Sequence, residues 1–210
     1  ESAAAAFVLG ADFVVTGSIN QCSPEAGTSD AVKDLLAGLD VQDTAYAPAG
    51  DMFELGARVQ VVRKGTLFAA RANKLHQIYR QSSCLEEIDT ATRTTLEERY
   101  FRRSLDSIWT ELEHRLGTCD SGQLERGRRN GKAKMAMVFR WYFSHSTTAA
   151  LQGSADTVDY QVHCGPAMGA FNRTVDGTSL QPWRARHVDA IAELIMTGAA
   201  DVLHAASCER

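Results

Sequence analysis

The chain has 210 residues, of which 44% are hydrophobic, and a formal net charge of −4, which is typical of a globular protein with one or two domains. The mild acidity gives no reason to expect a nucleic-acid partner, and the sequence has no run of about 18 apolar residues that would predict a membrane span. Five scattered cysteines form no CxxC pair, so we expect reduced thiols, a cytoplasmic location and no metal site.

The first stretch of the chain predicts a helix, a strand and a turn. Residues 1–9 are predicted to be helical, and Phe13–Thr16 to be a short buried strand that ends in Thr16, Gly17 and Ser18. Because the sequence opens within this helix, we expect it to be a fragment of a larger domain. A glycine lets the backbone approach a ligand closely, and successive N–H groups can point at an anion. The residues alone leave an ordinary turn and a phosphate-binding turn both open.

The rest of the chain is predicted to be mostly helical. A capped helix is expected over about 30–36, with Ser29 or Thr28 as the cap. Polar stretches at 81–95 and 117–131 are predicted to be a linker and a mobile loop. Apolar residues recur at helical spacing in five further stretches: Met52–Val62, Phe68–Tyr79, Phe101–Leu116, Lys132–Ser144 and Pro182–Ala205. We predict that the apolar side of the last stretch faces inward, including Val188, Ile191, Ile195, Val202 and Leu203.

Basic residues cluster in and next to the first two of these stretches, on what we predict to be two successive helices. They are Arg58, Arg63, Lys64, Arg71, Lys74 and Arg80. Such a run indicates either a solvated helix face or a docking surface for an acidic partner or a phosphate-bearing cofactor arm.

The sequence predicts no catalytic residue. Ser18 lacks the second glycine of a nucleophile elbow, and the six histidines form no HxxxH or HExxH pair. His163 and Cys164 are adjacent and are either a thiolate pair or, as we favour, structural. Asn172 and Gln161 flank a glycine-rich loop and could present polar groups to a ligand.

Several stretches together resemble one family. They are LGADFVVTGSINQ, EAGTSDAVKDLL, APAGDMFELGARVQVVRKGTLFAARANKLHQIY, MVFRWYFS and DYQVHCGPAMGAFN. They are similar to the C-terminal half of the PfaD family, the trans-acting enoyl reductases of polyunsaturated fatty acid and polyketide synthases, which are relatives of 2-nitropropane dioxygenase.

The resemblance implies a fold and a cofactor site. The fold is an FMN-binding (β/α)8 TIM barrel with an inserted helical subdomain, of which this chain is the mostly α C-terminal remnant. Residues 1–47 correspond to the end of the barrel, 48–130 to the helical insert and 131–210 to a C-terminal helical segment. Phe13–Thr16 would be the last strand, and Thr16, Gly17 and Ser18 would bind the flavin phosphate, which in such barrels lies after strands 7 and 8.

The resemblance also implies a reaction. FMN, reduced by NADPH, would reduce enoyl thioesters held on an acyl carrier protein, so the expected partners are that carrier or synthase subunits, with neither nucleic acid nor membrane. A homo-oligomer is also expected. The residues that contact the flavin ring would lie upstream, so this fragment alone should be inactive. Two alternatives stay open: a helical docking module for a carrier or synthase partner, and a flavoenzyme of the nitronate monooxygenase type.

Overall fold

The computed structural model describes residues 1–208, and most of them are helical. The described helices, in chain order, are α1 (Ser2–Val8), α2 (Asp30–Ala37), α3 (Phe68–Gln81), α4 (Thr90–Thr95), α5 (Leu105–Cys119), α6 (Ser121–Arg129), α7 (Gly131–Gln152), α8 (Ala167–Val175) and α9 (Val188–Cys208). The described strands are β1 (Thr44–Pro48) and β2 (Arg58–Val62). The predicted mostly α character is therefore confirmed.

The chain divides into two compact units. The terminal unit comprises residues 1–43 and the chain from Cys164 onward, and the inserted unit comprises Thr44–His163. The insert was predicted to end at residue 130, whereas in the structure it extends to residue 163. The reason is that α7 packs against α3, α5 and α6.

The core of the inserted unit is built on α7 and α3. Phe139 and Tyr142 are fully buried on α7, and Phe68 at the start of α3 stacks on Tyr142 with ring centroids 5.8 Å apart. The predicted stripe on α3 is confirmed, because its four members are all buried: Phe68, Ala72, Leu75 and Tyr79. Burying such side chains is the main stabilising contribution to a helical unit.

A β-hairpin replaces the helix predicted over 52–62. β1 and β2 pair antiparallel, from Thr44 opposite Val62 to Pro48 opposite Arg58. Gly56, with φ of +75°, ends the short 3₁₀ turn between them. The predicted helix was wrong because alternation and β-branched residues in RVQVV favour a strand once a partner strand is present.

Two segments predicted to be irregular are helical. Within 81–95, Asp89 caps α4 by accepting a hydrogen bond from the Thr92 backbone N–H at 2.9 Å. Within 117–131, Asp120 caps α6 in the same way through Gln123 at 3.0 Å. Position 127 of α6 is a glycine because α6 packs closely against α5: a Cβ there would be 2.6 Å from the Trp109 ring. This glycine serves close packing and not loop mobility.

Two predicted features of the terminal unit are confirmed, and one is wrong. α1 is present and is followed by Gly10 at φ +94°, and Ser29 caps α2 by accepting from the Val32 N–H at 3.3 Å. α8 follows Gly165 and Pro166. Residues 13–16, however, belong to no described strand, and Phe13 and Val15 are 73% and 83% exposed. The predicted buried strand is wrong for the described chain because no described segment pairs with it.

The last helix, α9, is largely exposed. Of the five residues predicted to face inward, Ile191 is buried, whereas Val188 and Val202 are 41% and 40% exposed. α9 packs along α1, which is too short to cover its apolar side. Among the described helices, α9 is long and apolar enough to cross a membrane when length and composition alone are considered. A single helix of this kind is weak support for a span, since helices of soluble proteins pass the same test.

Candidate functional site

The turn at Thr16, Gly17 and Ser18 is held by local and long-range hydrogen bonds. The Asn20 side chain donates to the Thr16 carbonyl at 3.1 Å, and the Gln21 N–H donates to the Gly17 carbonyl at 3.3 Å. The Gly165 N–H donates to Ser18 Oγ at 3.0 Å. The structure therefore brings the turn together with the start of α8.

The same turn offers backbone donors. Among the described residues, none accepts a hydrogen bond from the Gly17 or Ser18 N–H. Gly17 is exposed, and a Cβ added there would meet nothing within 4 Å. Unpaired consecutive N–H groups beside open space suit an anion such as phosphate, so the residues present fit the predicted ligand group.

A groove of about 720 Å³ adjoins the turn within the terminal unit. Thr16 and Ile19 line it from the turn side, Phe171 from α8 and Ile195 from α9. Its volume is in the range of ligand clefts. Of the three predicted site residues, Thr16 lines it, whereas Gly17 and Ser18 do not.

Burial disfavours the thiolate form of Cys164. Burial raises the pKa of its thiol to about 11, although a hydrogen bond with Ser18 opposes the rise. The adjacent His163 has its Nε2 atom 2.7 Å from the Gln161 side-chain nitrogen. The structural interpretation of Cys164 is therefore favoured over a thiolate pair.

Asn172 is used within the protein and does not face a ligand. Its amide nitrogen donates to the carbonyls of Leu36 and Leu39, each at 2.8 Å, which completes the C-terminal end of α2. Its side-chain oxygen accepts from Arg186 at 2.7 Å. Gln161 is likewise engaged, since its side-chain oxygen accepts from Thr147 at 3.2 Å.

Arg186 is a structurally important residue that the sequence did not predict. This side chain is 1% exposed and donates to the carbonyls of Leu180 and Gln181, each at 2.9 Å. No local pattern predicts a buried arginine, because its acceptors come from separate segments. Arg186 holds the loop before α9 against α8.

The basic run does not lie on two helices. Arg58 is in β2, Arg63 and Lys64 follow that strand, and the remaining three residues are on α3. Arg71 is bound to Asp159, which also accepts from the Tyr142 hydroxyl at 2.6 Å. Burial and that hydrogen bond raise the pKa of Tyr142. Arg71 is therefore internal, whereas the other five basic side chains are exposed.

No set of three or more histidine, cysteine, aspartate or glutamate side chains that could hold a metal ion occurs in residues 1–208. The geometry provides a turn with unpaired backbone donors in the terminal unit and a basic surface in the inserted unit.

Comparison with known proteins identifies relatives over nearly the whole chain. Residues 82–160 match the family described as "[Acyl-carrier-protein] S-malonyltransferase, inserted helical domain". The chain is 53% identical over 205 residues to the polyketide biosynthesis protein PksE of Bacillus subtilis, covering 97% of this chain and 26% of that protein. It is 41% identical to a polyunsaturated fatty acid synthase protein from a Thraustochytrium species, covering 87% of this chain and 12% of that protein.

A solved structure is also similar. The enoyl reductase domain of MlnA, from the macrolactin biosynthesis cluster of Bacillus amyloliquefaciens, superposes with a TM-score of 0.94 at 47% identity. The match covers 99% of this chain and 47% of that one, and it supports the predicted fold class, a partial barrel with a helical insert. The chain thus spans about a quarter of PksE and about half of the matched enoyl reductase structure, and it is related to proteins of polyketide and polyunsaturated fatty acid synthesis.

Proposed function

We propose that this chain is part of a flavin-dependent, trans-acting enoyl reductase of the PfaD type, working in polyketide or polyunsaturated fatty acid synthesis. The observation that carries the proposal is the structural match of nearly this whole chain to about half of the MlnA enoyl reductase structure. At 47% identity over nearly all of this chain, the local chemistry of the matched half is expected to be shared as well as the fold.

In this proposal, Thr16, Gly17 and Ser18 hold the phosphate of FMN. The two unpaired N–H groups and the open space at Gly17 support the assignment. Bound flavin, reduced by NADPH, supplies the hydride chemistry. The contribution of this chain is to anchor the anionic end of the cofactor, while Gly165 fixes the position of Ser18.

Replacing Gly17 tests that assignment. Gly17→Val adds a side chain where the structure has open space, so the fold should survive while the phosphate position is blocked. In the complete protein, we expect flavin content per protein to fall at least about tenfold, with the melting temperature unchanged. Gly27→Val is the matched control, because a Cβ at Gly27 also meets nothing within 4 Å. Equal flavin content in both variants would contradict the assignment.

The inserted unit is proposed to dock the acyl carrier protein. Its exposed basic residues beyond β2 and on α3 suit an acidic carrier, and the matched helical family is named for an enzyme that acts with an acyl carrier protein. Reversing the charge of Arg63, Lys64 and Lys74 should weaken carrier binding at low salt and reduce the salt dependence. Arg71 is left intact, since removing it would leave Asp159 without this buried partner.

The reaction is tested with the complete protein. Purification with bound flavin, and NADPH oxidation that depends on an enoyl thioester on a carrier, would support enoyl reduction. Turnover only with nitroalkanes would instead support nitronate oxidation. Carrier binding without flavin or turnover would support the docking-module alternative. Of the two alternatives, this is the one that the family match over residues 82–160 favours.

A further inference from the structure

A polar groove of about 410 Å³ lies between β2 and α3 in the inserted unit. Six residues line it: Arg58, Asn73, His76, Gln77, Arg80 and Gln81. All of them carry nitrogen donors, and none is acidic. The groove is larger than a single small ion requires and falls within the size range of small-molecule sites.

The positive charge of this groove is not neutralised by the described residues. One terminal nitrogen of Arg58 donates to two neutral acceptors, the Tyr46 carbonyl and the Asn73 side-chain oxygen, each at 3.0 Å. These bonds fix the guanidinium while leaving its charge uncompensated. Among the described residues, none forms an ion pair with Arg80. Most other arginines of the inserted unit do bind carboxylates, for example Arg103 with Glu111 at 2.6 Å and Arg128 with Glu113 at 3.0 Å.

His76 adds a titratable group to the same groove. Its half-buried ring packs edge-on against Phe53, with centroids 5.3 Å apart, and its ring nitrogens bond to no described residue. Burial, followed by the charges of Arg80, Arg58 and Lys132, lowers the pKa of the imidazole. The acid on the neighbouring 3₁₀ turn, Glu54, is engaged with Arg126 at 2.5 Å.

We propose that this groove binds the phosphate group of a small phosphate ester. The Arg58 guanidinium, held by its two hydrogen bonds, and the exposed guanidinium of Arg80 offer the paired donors that phosphate oxygens accept. His76 supplies a further donor once it is protonated. The remaining volume holds the organic part of the ester beside the amides of Gln77 and Gln81. This site is separate from the turn at Gly17 and needs neither flavin nor a carrier protein.

Binding is tested by calorimetry and by NMR titration of the histidine signals, with His76 assigned through His76→Gln. The probes are inorganic phosphate, pantetheine 4′-phosphate and adenosine 2′-monophosphate, with chloride as the ionic-strength control. We expect Arg80→Gln and Arg58→Gln each to weaken phosphate-ester binding about tenfold or more. Arg99→Gln is the matched control, since it removes an exposed arginine of the same unit outside the groove, and it should leave binding unchanged.

The pH dependence gives a second readout. A bound dianion favours the imidazolium, so the pKa of His76 should rise on titration. Binding of a phosphate ester should tighten as the pH falls from about 8 to 7, a range in which the ester stays mostly a dianion. If one ester binds more tightly than inorganic phosphate, the groove also recognises the organic part of that ester. If the esters and inorganic phosphate bind equally, the groove recognises the phosphate group alone. No binding, or equal binding by the Arg80 and Arg99 variants with no change at His76, would overturn the proposal.

Discussion

The positively charged side chain of Arg186 is buried in the terminal unit, where it donates hydrogen bonds to neutral acceptors. The carbonyls of Leu180 and Gln181 and the Asn172 side chain satisfy its donors. A charge can be buried in this way because several oriented dipoles replace its water. The same arrangement makes the residue hard to replace.

We therefore expect Arg186→Met to lower the free energy of unfolding by about 3 kcal/mol, because three acceptors lose their donor in a buried place. Arg184→Met is the control: its pairing with Asp30 is exposed, so its loss should cost less than about 1 kcal/mol. Urea unfolding of both variants provides the measurement. Similar losses in the two variants would show that burial of Arg186 has no special role.

The exposed cysteines should react with an alkylating agent faster than the buried ones. Cys164, with a pKa of about 11, and Cys22, whose pKa burial also raises, are buried thiols. Cys119 and Cys208 are exposed. At pH 8 we expect iodoacetamide to label Cys119 and Cys208 and to spare Cys22 and Cys164 until the protein is unfolded. Mass spectrometry of digested samples measures this, and rapid labelling of Cys164 in the folded protein would contradict its protonated state.

At the scale of elements, the packing of α8 in the terminal unit depends on one glycine. A Cβ on Gly169 would lie 2.1 Å from the Asp40 carbonyl carbon and 2.2 Å from the Val41 nitrogen. Both neighbours are backbone atoms, which cannot rotate away as a side chain can. The helix and the segment after α2 can approach so closely only without a side chain at this position.

Gly169→Ala should therefore destabilise the protein by about 2–4 kcal/mol, since the backbone must move apart. Gly198→Ala on α9 is the matched change, because nothing lies within 4 Å of its added Cβ. It should stabilise the helix by about 0.5–1 kcal/mol through helix propensity. Melting temperatures that shift in opposite directions would confirm the contrast, and equal shifts would contradict it.

The elements predicted correctly are those with strong local signals. α2 has its Ser29 cap, and α3 and α7 have an apolar stripe long enough to identify a helix. The hairpin was missed because strand pairing depends on a partner that local spacing does not reveal. α6 was missed because its glycines and arginines favour a loop locally, whereas Gly127 packs on Trp109 and Arg128 pairs with Glu113.

The candidate sites also differ in whether a local sequence pattern predicts them. Gly17 and Ser18 could be predicted because a turn after an apolar run is a local pattern. The environment of Arg186 and the groove at His76 could not, since each joins residues from different elements. Whether the turn binds FMN, and whether the chain acts on a carrier-bound substrate, stay predictions until the experiments above are done.

At the scale of the whole molecule, the terminal unit exposes a concentrated apolar surface. Val8, Leu9, Phe13 and Val15 are all at least 72% exposed within one short stretch. Apolar patches of this kind are normally covered by a partner or by further chain. For a preparation of these 210 residues alone, we expect concentration-dependent self-association.

Sedimentation velocity tests that expectation. Phe13→Lys combined with Val15→Lys should lower the associated fraction, because charge on the patch opposes its burial. Leu55→Lys is the control: Leu55 is 84% exposed but lies in the inserted unit. The expectation fails if the wild-type chain stays monomeric at high concentration, or if the control reduces association equally.

The two ends of the inserted unit meet on β2. Thr44 pairs with Val62, the Val62 N–H donates to the Val162 carbonyl at 2.9 Å, and Val61 bridges to His163. An inserted sequence with adjacent ends can be gained, lost or exchanged in evolution without rerouting the host backbone. Residues 82–160 match a helical insert described for a malonyltransferase. Such a match is expected if the same inserted domain occurs in different host proteins. A short turn joining residues 43 and 164 would be the natural way to remove it by engineering.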